Sequence, residues 1–113
     1  MVKLLGPRQK KLVKALKSNQ YPQGKNSLQT INRSLCCLGV ACKVAEENHI
    51  PLIKNAMGCI VGMNLNDQGK VKEYFKFRKE HIELAEMNDE GMSFVDIAKH
   101  IEENPYLYFE EFA

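Results

Sequence analysis

No stretch of this chain comes near the roughly 18–20 consecutive apolar residues that a membrane-crossing helix needs, which excludes a transmembrane helix. The opening, Met1-Val2-Lys3-Leu4-Leu5-Gly6-Pro7, is too short an apolar run for the core of a secretory leader, so a cytoplasmic protein is expected. Around Cys36, Cys37, Cys42 and Cys59 there is no paired C-x-x-C and no C-x-x-C with H-x-x-x-H, so the ordinary zinc signatures are missing. Folding would have to bring Cys42, Cys59 and His49 together to make a metal site. Buried thiols acting as small hydrophobes are the preferred reading.

The catalytic motifs are missing as well. Gln23-Gly24-Lys25-Asn26-Ser27 has a Gly-Lys pair without the spacing of a phosphate-binding Walker loop. Asn88-Asp89-Glu90-Gly91 lacks the alternating oxygen ligands and closing glutamate of an EF-hand and reads as a turn. His49, His81 and His100 are isolated, and nothing selects a base for Cys36 or Cys37 as a nucleophile. The expectation is a protein that is not an enzyme and takes neither metal nor cofactor.

The last absence is of one sign of charge. Residues 1–45 hold Lys3, Arg8, Lys10, Lys11, Lys14, Lys17, Lys25, Arg33 and Lys43 and no aspartate or glutamate; every acid lies between Glu46 and Glu111. The net charge of +2 conceals this polarity. Such asymmetry points to an acidic partner such as nucleic acid, or to a basic half packed beside the acidic half of the same chain. The second reading is preferred, because a 113-residue chain brings its halves close together.

What is present suits one globular domain over 1–113: 44% hydrophobic and 27% charged residues are ordinary for a packed protein. Gly6-Pro7 opens a first helix, with Leu12, Val13 and Leu16 on one face and Lys10, Lys14 and Lys17 as a basic ridge roughly opposite. That helix should stop near Ser18-Asn19. Residues 20–34 are polar and broken by Pro22 and Gly24. Cys36, Cys37, Val40, Ala41 and Val44 predict a central core helix ending near Glu47-Asn48. Residues 71–78 are ambiguous between strand and helix. Their aromatics and the Asn66–Gly69 turn signal favour a β-hairpin centred on Asp67–Gly69.

Lys79–Met87 reads as a short helix presenting Ile82, Leu84, Ala85 and Met87, ended at Asn88–Gly91. Ser93 should cap a last helix whose core stripe is Phe94, Ile97, Ala98 and Ile101, with Asn104-Pro105 as its stop. In the tail, Tyr106 and Leu107 are expected to fold back on the core; the final four residues could pack or stay exposed, and Tyr108, Phe109, Glu110, Glu111 and Phe112 are the candidate acidic-aromatic surface. The fold expected is therefore α+β, a mainly helical domain of about four helices with a small β-hairpin.

Two stretches, Leu35-Cys36-Cys37-Leu38-Gly39-Val40-Ala41-Cys42 and Met87-Asn88-Asp89-Glu90-Gly91-Met92-Ser93-Phe94-Val95-Asp96-Ile97-Ala98, resemble the two signatures of a family of small bacteriophage proteins. Gln23-Gly24-Lys25 fits the run-up to the first signature. Leu35 stands where that family usually has an aromatic, a tryptophan common between the signatures is absent, and residues 52–78 match poorly. The resemblance implies a phage or prophage origin and expression inside a bacterial cell, with no activity to carry over.

Function is thus expected to be that of a non-enzymatic binding protein through which a phage modulates a host protein or defence pathway, with Tyr108, Phe109, Glu110, Glu111 and Phe112 as candidate partner contacts. The alternative is a module for nucleic acid or a phosphorylated small ligand, held by Lys10, Lys14, Lys17, Lys25 and Arg33.

Overall fold

A computed structural model describes residues 5–18, 20–24, 35–50, 52 and 65–111, with the side chains of 65–68 excepted. The described chain is helical: α1 (Pro7–Lys17), α2 (Cys37–Glu47), α3 (Leu65–Phe75), a 3-10 turn at Lys79–His81, α4 (Ile82–Asp89), α5 (Phe94–Glu103) and the single turn α6 (Pro105–Tyr108). Pairing between extended segments is limited, among the described residues, to two isolated bridges, Gln23 with Leu35 and Phe77 with Phe109.

The expected β-hairpin is therefore corrected. Residues Asp67–Gly69 lie inside α3. Val71, Tyr74 and Phe75 fall at i, i+3 and i+4 and are all buried, so helical periodicity outweighed the strand preference of the aromatics. The α+β class goes with the hairpin, and the described fold is all-helical.

α1 starts as expected. Pro7 occupies a position that needs no N–H, and Gln9 reaches back so that its Oε1 accepts from the Gly6 N–H at 3.0 Å. Leu12, Val13 and Leu16 enter the core on the inner face. α1 lies across α5 and α2, α2 reaches α3 and α4, and α6 packs on α5 and on the 3-10 turn. One continuous cluster joins Leu12, Leu16, Val40, Phe75, Ile97, Ile101 and Phe109.

Gln9 is fully buried in this apolar setting, and its amide is spent. Nε2 donates to the Phe75 and Glu111 carbonyls, each at 2.8 Å, tying α1 to the end of α3 and to the C-terminal segment. That segment runs back along Phe77. The Arg78 N–H donates to the Tyr108 carbonyl and the Glu110 N–H to the Lys76 carbonyl, both at 2.7 Å. Phe77 lies between two near-parallel rings, His81 at 4.9 Å and Phe109 at 5.4 Å between centroids.

The expected burial of the tail is exchanged. Tyr108 and Phe109 are in the core, whereas Tyr106 and Leu107 are 63% and 50% exposed. The one-turn helix begun by Pro105 rotates 106 and 107 outward and 108 inward.

α2, α3 and α4 end alike. Ile50 N–H donates to the Ala45 carbonyl and His49 to Glu46; Phe77 to Lys72 and Lys76 to Glu73; Met92 to Met87 and Gly91 to Asn88. Each is a Schellman closure, which needs a left-handed residue just past the cap. Glycine fills that place only in α4; the others use His49 at φ 73° and Lys76 at φ 60°.

Candidate functional site

The two family-like stretches and their run-up converge on one buried side chain, Asn88, in the last turn of α4. Its Oδ1 accepts from Gln23 Nε2 at 2.9 Å and from the Cys37 N–H at 3.2 Å. Its Nδ2 donates to the Gly24 carbonyl at 2.8 Å and to Asp89 Oδ1 at 3.4 Å. Gln23 completes the junction: Nε2 also donates to the Met92 carbonyl at 2.7 Å, and Oε1 accepts from the Phe94 N–H at 3.2 Å.

Cys37 and Phe94 are the first residues of α2 and α5, whose leading N–H groups have no partner inside their own helices. Asn88 and Gln23 therefore cap two helices from outside them. Both ends of the Asn88 carboxamide are used in full, which leaves nothing to hold a ligand. The physical content of these stretches is a four-way splice of the fold.

The thiols beside this junction are built for packing. Cys36 and Cys37 are buried, and Cys37 Sγ donates to the Leu84 carbonyl at 3.2 Å. Burial pushes both thiols upward, with Asp89 adding to the effect, so the neutral form is held and the nucleophilic thiolate is disfavoured. Cys42 is buried on α2, and Cys59 lies outside the described residues. Among the described residues no group of three His, Cys, Asp or Glu side chains gathers as a metal site.

The basic residues divide by what they meet. Arg8 sits 4.5 Å from the centre of the Tyr74 ring and donates to the Tyr74 carbonyl at 3.3 Å. Lys11 donates to Asn48 Oδ1 at 2.7 Å. Lys17 pairs with Glu102 of α5 at 2.5 Å, which joins the basic and acidic halves directly. Lys10 and Lys14 are exposed and make no ion pair with any described residue. Lys25 and Arg33 lie outside the described residues.

Lys10, Lys14 and Lys17 border an open groove of about 620 Å³ that runs along α1, with Leu5 and Val13 at its base and Ser18 and Glu102 at one end. The lysine stems extend its apolar lining while their ammonium groups reach water. Neither periodicity nor charge counting had joined these lysines to Leu5. Val13, placed by spacing on the core face, also borders the lysine ridge.

The other proposed contacts fare differently. Tyr108 is 1% and Phe109 2% exposed, so both serve the core. The Tyr108 hydroxyl lies 2.7 Å from His100 Nε2, and burial raises its pKa. Glu110 and Glu111 are exposed, and Phe112 lies outside the described residues. Ile82, 54% exposed, opens α4 directly after the 3-10 turn on which α6 packs, so the elements that carry it and Tyr106 and Leu107 are neighbours.

Among the described residues, no helix is long and apolar enough to cross a membrane. No protein-family model, curated protein or solved structure matches this chain.

Proposed function

We propose that this chain is a small non-enzymatic binding protein, of the kind a bacteriophage uses to modulate a protein or defence pathway of its bacterial host, and that it holds its partner in the groove along α1. One observation carries the reading: Lys10 and Lys14 make no ion pair with any described residue and line the groove together with Leu5 and Val13. A protein surface supplies carboxylates and apolar side chains together, and interfaces pair an apolar centre with a polar rim.

The same lysines suggest nucleic acid or a phosphorylated small molecule. That alternative is weakened because Lys17 is already neutralised by Glu102 and because phosphates would leave the partly exposed Leu5 uncovered. Salt separates the two: phosphate binding falls steeply as ionic strength rises, whereas binding with an apolar centre persists.

The test uses the full chain as bait in bacterial extract, beside a Lys10→Glu/Lys14→Glu variant and an unrelated protein of matched charge. A bacterial protein retained by the wild type and lost from the variant is the expected result. Retention no better than on the matched-charge control overturns the reading.

A further inference from the structure

We infer that the C-terminal segment Pro105–Glu111 is a strap, opening and closing as one unit across Phe77 while α1, α2, α4 and α5 stay folded. This holds whatever the α1 groove binds.

The joint is Asn104-Pro105, and α5 is finished before it. The Asn104 N–H donates to the His100 and Ile101 carbonyls at 3.0 and 3.2 Å, and its Nδ2 donates to the His100 carbonyl at 3.0 Å. Pro105 brings no N–H with which to carry the ladder onward. The bonds that follow, from the Leu107 N–H to Asn104 and from the Phe109 N–H to Pro105, each 3.1 Å, stay within the segment and its joint. When the segment swings away, α5 keeps its cap and the segment keeps its turn.

The docking contacts fall on four consecutive residues. Arg78 donates through its N–H to the Tyr108 carbonyl and through Nε to the Phe109 carbonyl. The Glu110 N–H donates to the Lys76 carbonyl, and Gln9 Nε2 donates to the Glu111 carbonyl. Tyr108 and Phe109 are buried beneath these bonds, with the Phe109 ring stacked on Phe77. Contacts so closely spaced on one short segment break together.

Release strands little that is polar. Gln9 Nε2, the buried donor in its path, retains the Phe75 carbonyl at 2.8 Å. Arg78 is exposed and Lys76 partly so, which lets water take over their main-chain groups. The rest of the core has its own cement: α1 packs on α5 and α2, and α2 on α4, through Leu12, Leu16, Val40, Leu84, Ile97 and Ala98. α6 packs only on α5 and the 3-10 turn at the edge of this body. A segment held by few elements and joined at one point is the kind that opens below the global transition.

Hydrogen exchange of the full chain, followed amide by amide by NMR across a urea series below unfolding, tests the strap. The Arg78 and Glu110 N–H groups, one on each side of the contact, are expected to share one opening constant with a weak urea dependence. That constant should exceed those of Ala98 and Ile101 in α5 by about tenfold or more. The Phe77 N–H, which bonds back to Lys72 at 3.0 Å, should exchange with the slow α5 class. Three results overturn the inference. Arg78 and Glu110 exchanging with the α5 amides would make the segment part of the global core. Unequal constants for the two would mean fraying instead of a unit. Phe77 opening together with Arg78 would assign the motion to residues 76–78.

Discussion

The carboxamides of Asn88 and Gln23 meet at 2.9 Å, and each supplies a helix that is not its own with a missing hydrogen-bond acceptor. This pair joins residues 65 apart in sequence and holds α2, α4 and α5 in register at one point. A buried polar cluster of this kind is worth most when every member is satisfied, because removing one leaves the others unpaired in a weakly polarisable setting.

Asn88→Ala is accordingly expected to be among the most damaging single changes in the chain. It strips the Gly24 carbonyl, the Cys37 N–H and one Gln23 contact of their partner, at a cost of about 3 kcal/mol or more. Asn88→Asp keeps the acceptors but turns a charged oxygen toward the Gly24 carbonyl and Asp89, so it should not rescue. Urea unfolding monitored by circular dichroism measures both. A midpoint unchanged from wild type in Asn88→Ala would show that the junction is dispensable.

His49 and Lys76 hold left-handed conformations that favour glycine. His49→Gly should stabilise the protein by about 0.5–1 kcal/mol, the relief of side-chain crowding exceeding the added freedom of the unfolded chain. Lys76→Gly should gain less, since it also deletes the exposed pairings of Lys76 with Glu73 and Glu111. Thermal melts of the two variants test the order. A lower midpoint for His49→Gly would contradict the assignment of strain there.

His81 stacks on Phe77 and lies 2.7 Å through Nδ1 from the Arg78 carbonyl. Burial, helped by Lys72, moves its pKa below the ordinary histidine value of 6.5, against the opposing pull of the Arg78 carbonyl and Glu80. The folded state thus prefers the neutral ring. Its contribution is complete above the unfolded-state pKa and is lost as pH falls through the folded one. Stability should therefore decline as pH falls below about 6.5, and His81→Phe, which keeps the stacked ring, should flatten that slope. Equal slopes in the two proteins would remove His81 as the cause.

Tyr21 acts at the other end of the scale. Burial together with its 2.5 Å hydrogen bond to Glu47 pushes its hydroxyl up to about 12. The protonated form is the one the fold holds, so its contribution is intact below about pH 10 and fades between there and about pH 12. Tyr21→Phe should lessen alkaline destabilisation over that window in denaturant titrations, and an unaltered alkaline limb would refute it.

The helices legible from sequence are those whose local signals agree with their packing. In α5, Ser93 Oγ accepts from the Asp96 N–H at 3.2 Å, and Phe94, Ile97, Ala98 and Ile101 are all buried as the spacing required. α1 and α2 begin and end within about a residue of their proline, cap and polar boundaries. The hairpin expectation failed because Asn66–Gly69 carries turn-forming residues that the helix tolerates, with Gly69 in open space and exposed. Asn88 was read as part of a turn because an asparagine before Gly91 looks like a helix stop. Its burial is decided by Gln23 and Cys37, distant partners to which no local pattern points.

The candidate site was half legible. Lys10, Lys14 and Lys17 were found by spacing, but which of them is already neutralised depends on where α5 lies. The tail was misassigned because a short run of apolar residues, Tyr106 to Phe109, gives no period from which to choose a buried face. Pro105 made that choice by starting one more turn.

The bond from Gln9 to the Glu111 carbonyl bears on how the chain is made. During synthesis α1 appears first, yet the partners of its buried amide are Phe75 and Glu111, which arrive 66 and 102 residues later. Phe77 likewise waits for Phe109. A nascent chain extended only through α5 has all its long helices but no lid over Phe77 and an unfilled donor on Gln9. Its core closes only after residue 111 is free to move, so the segment around Phe109–Glu111 is expected to seal the packing that α1 began.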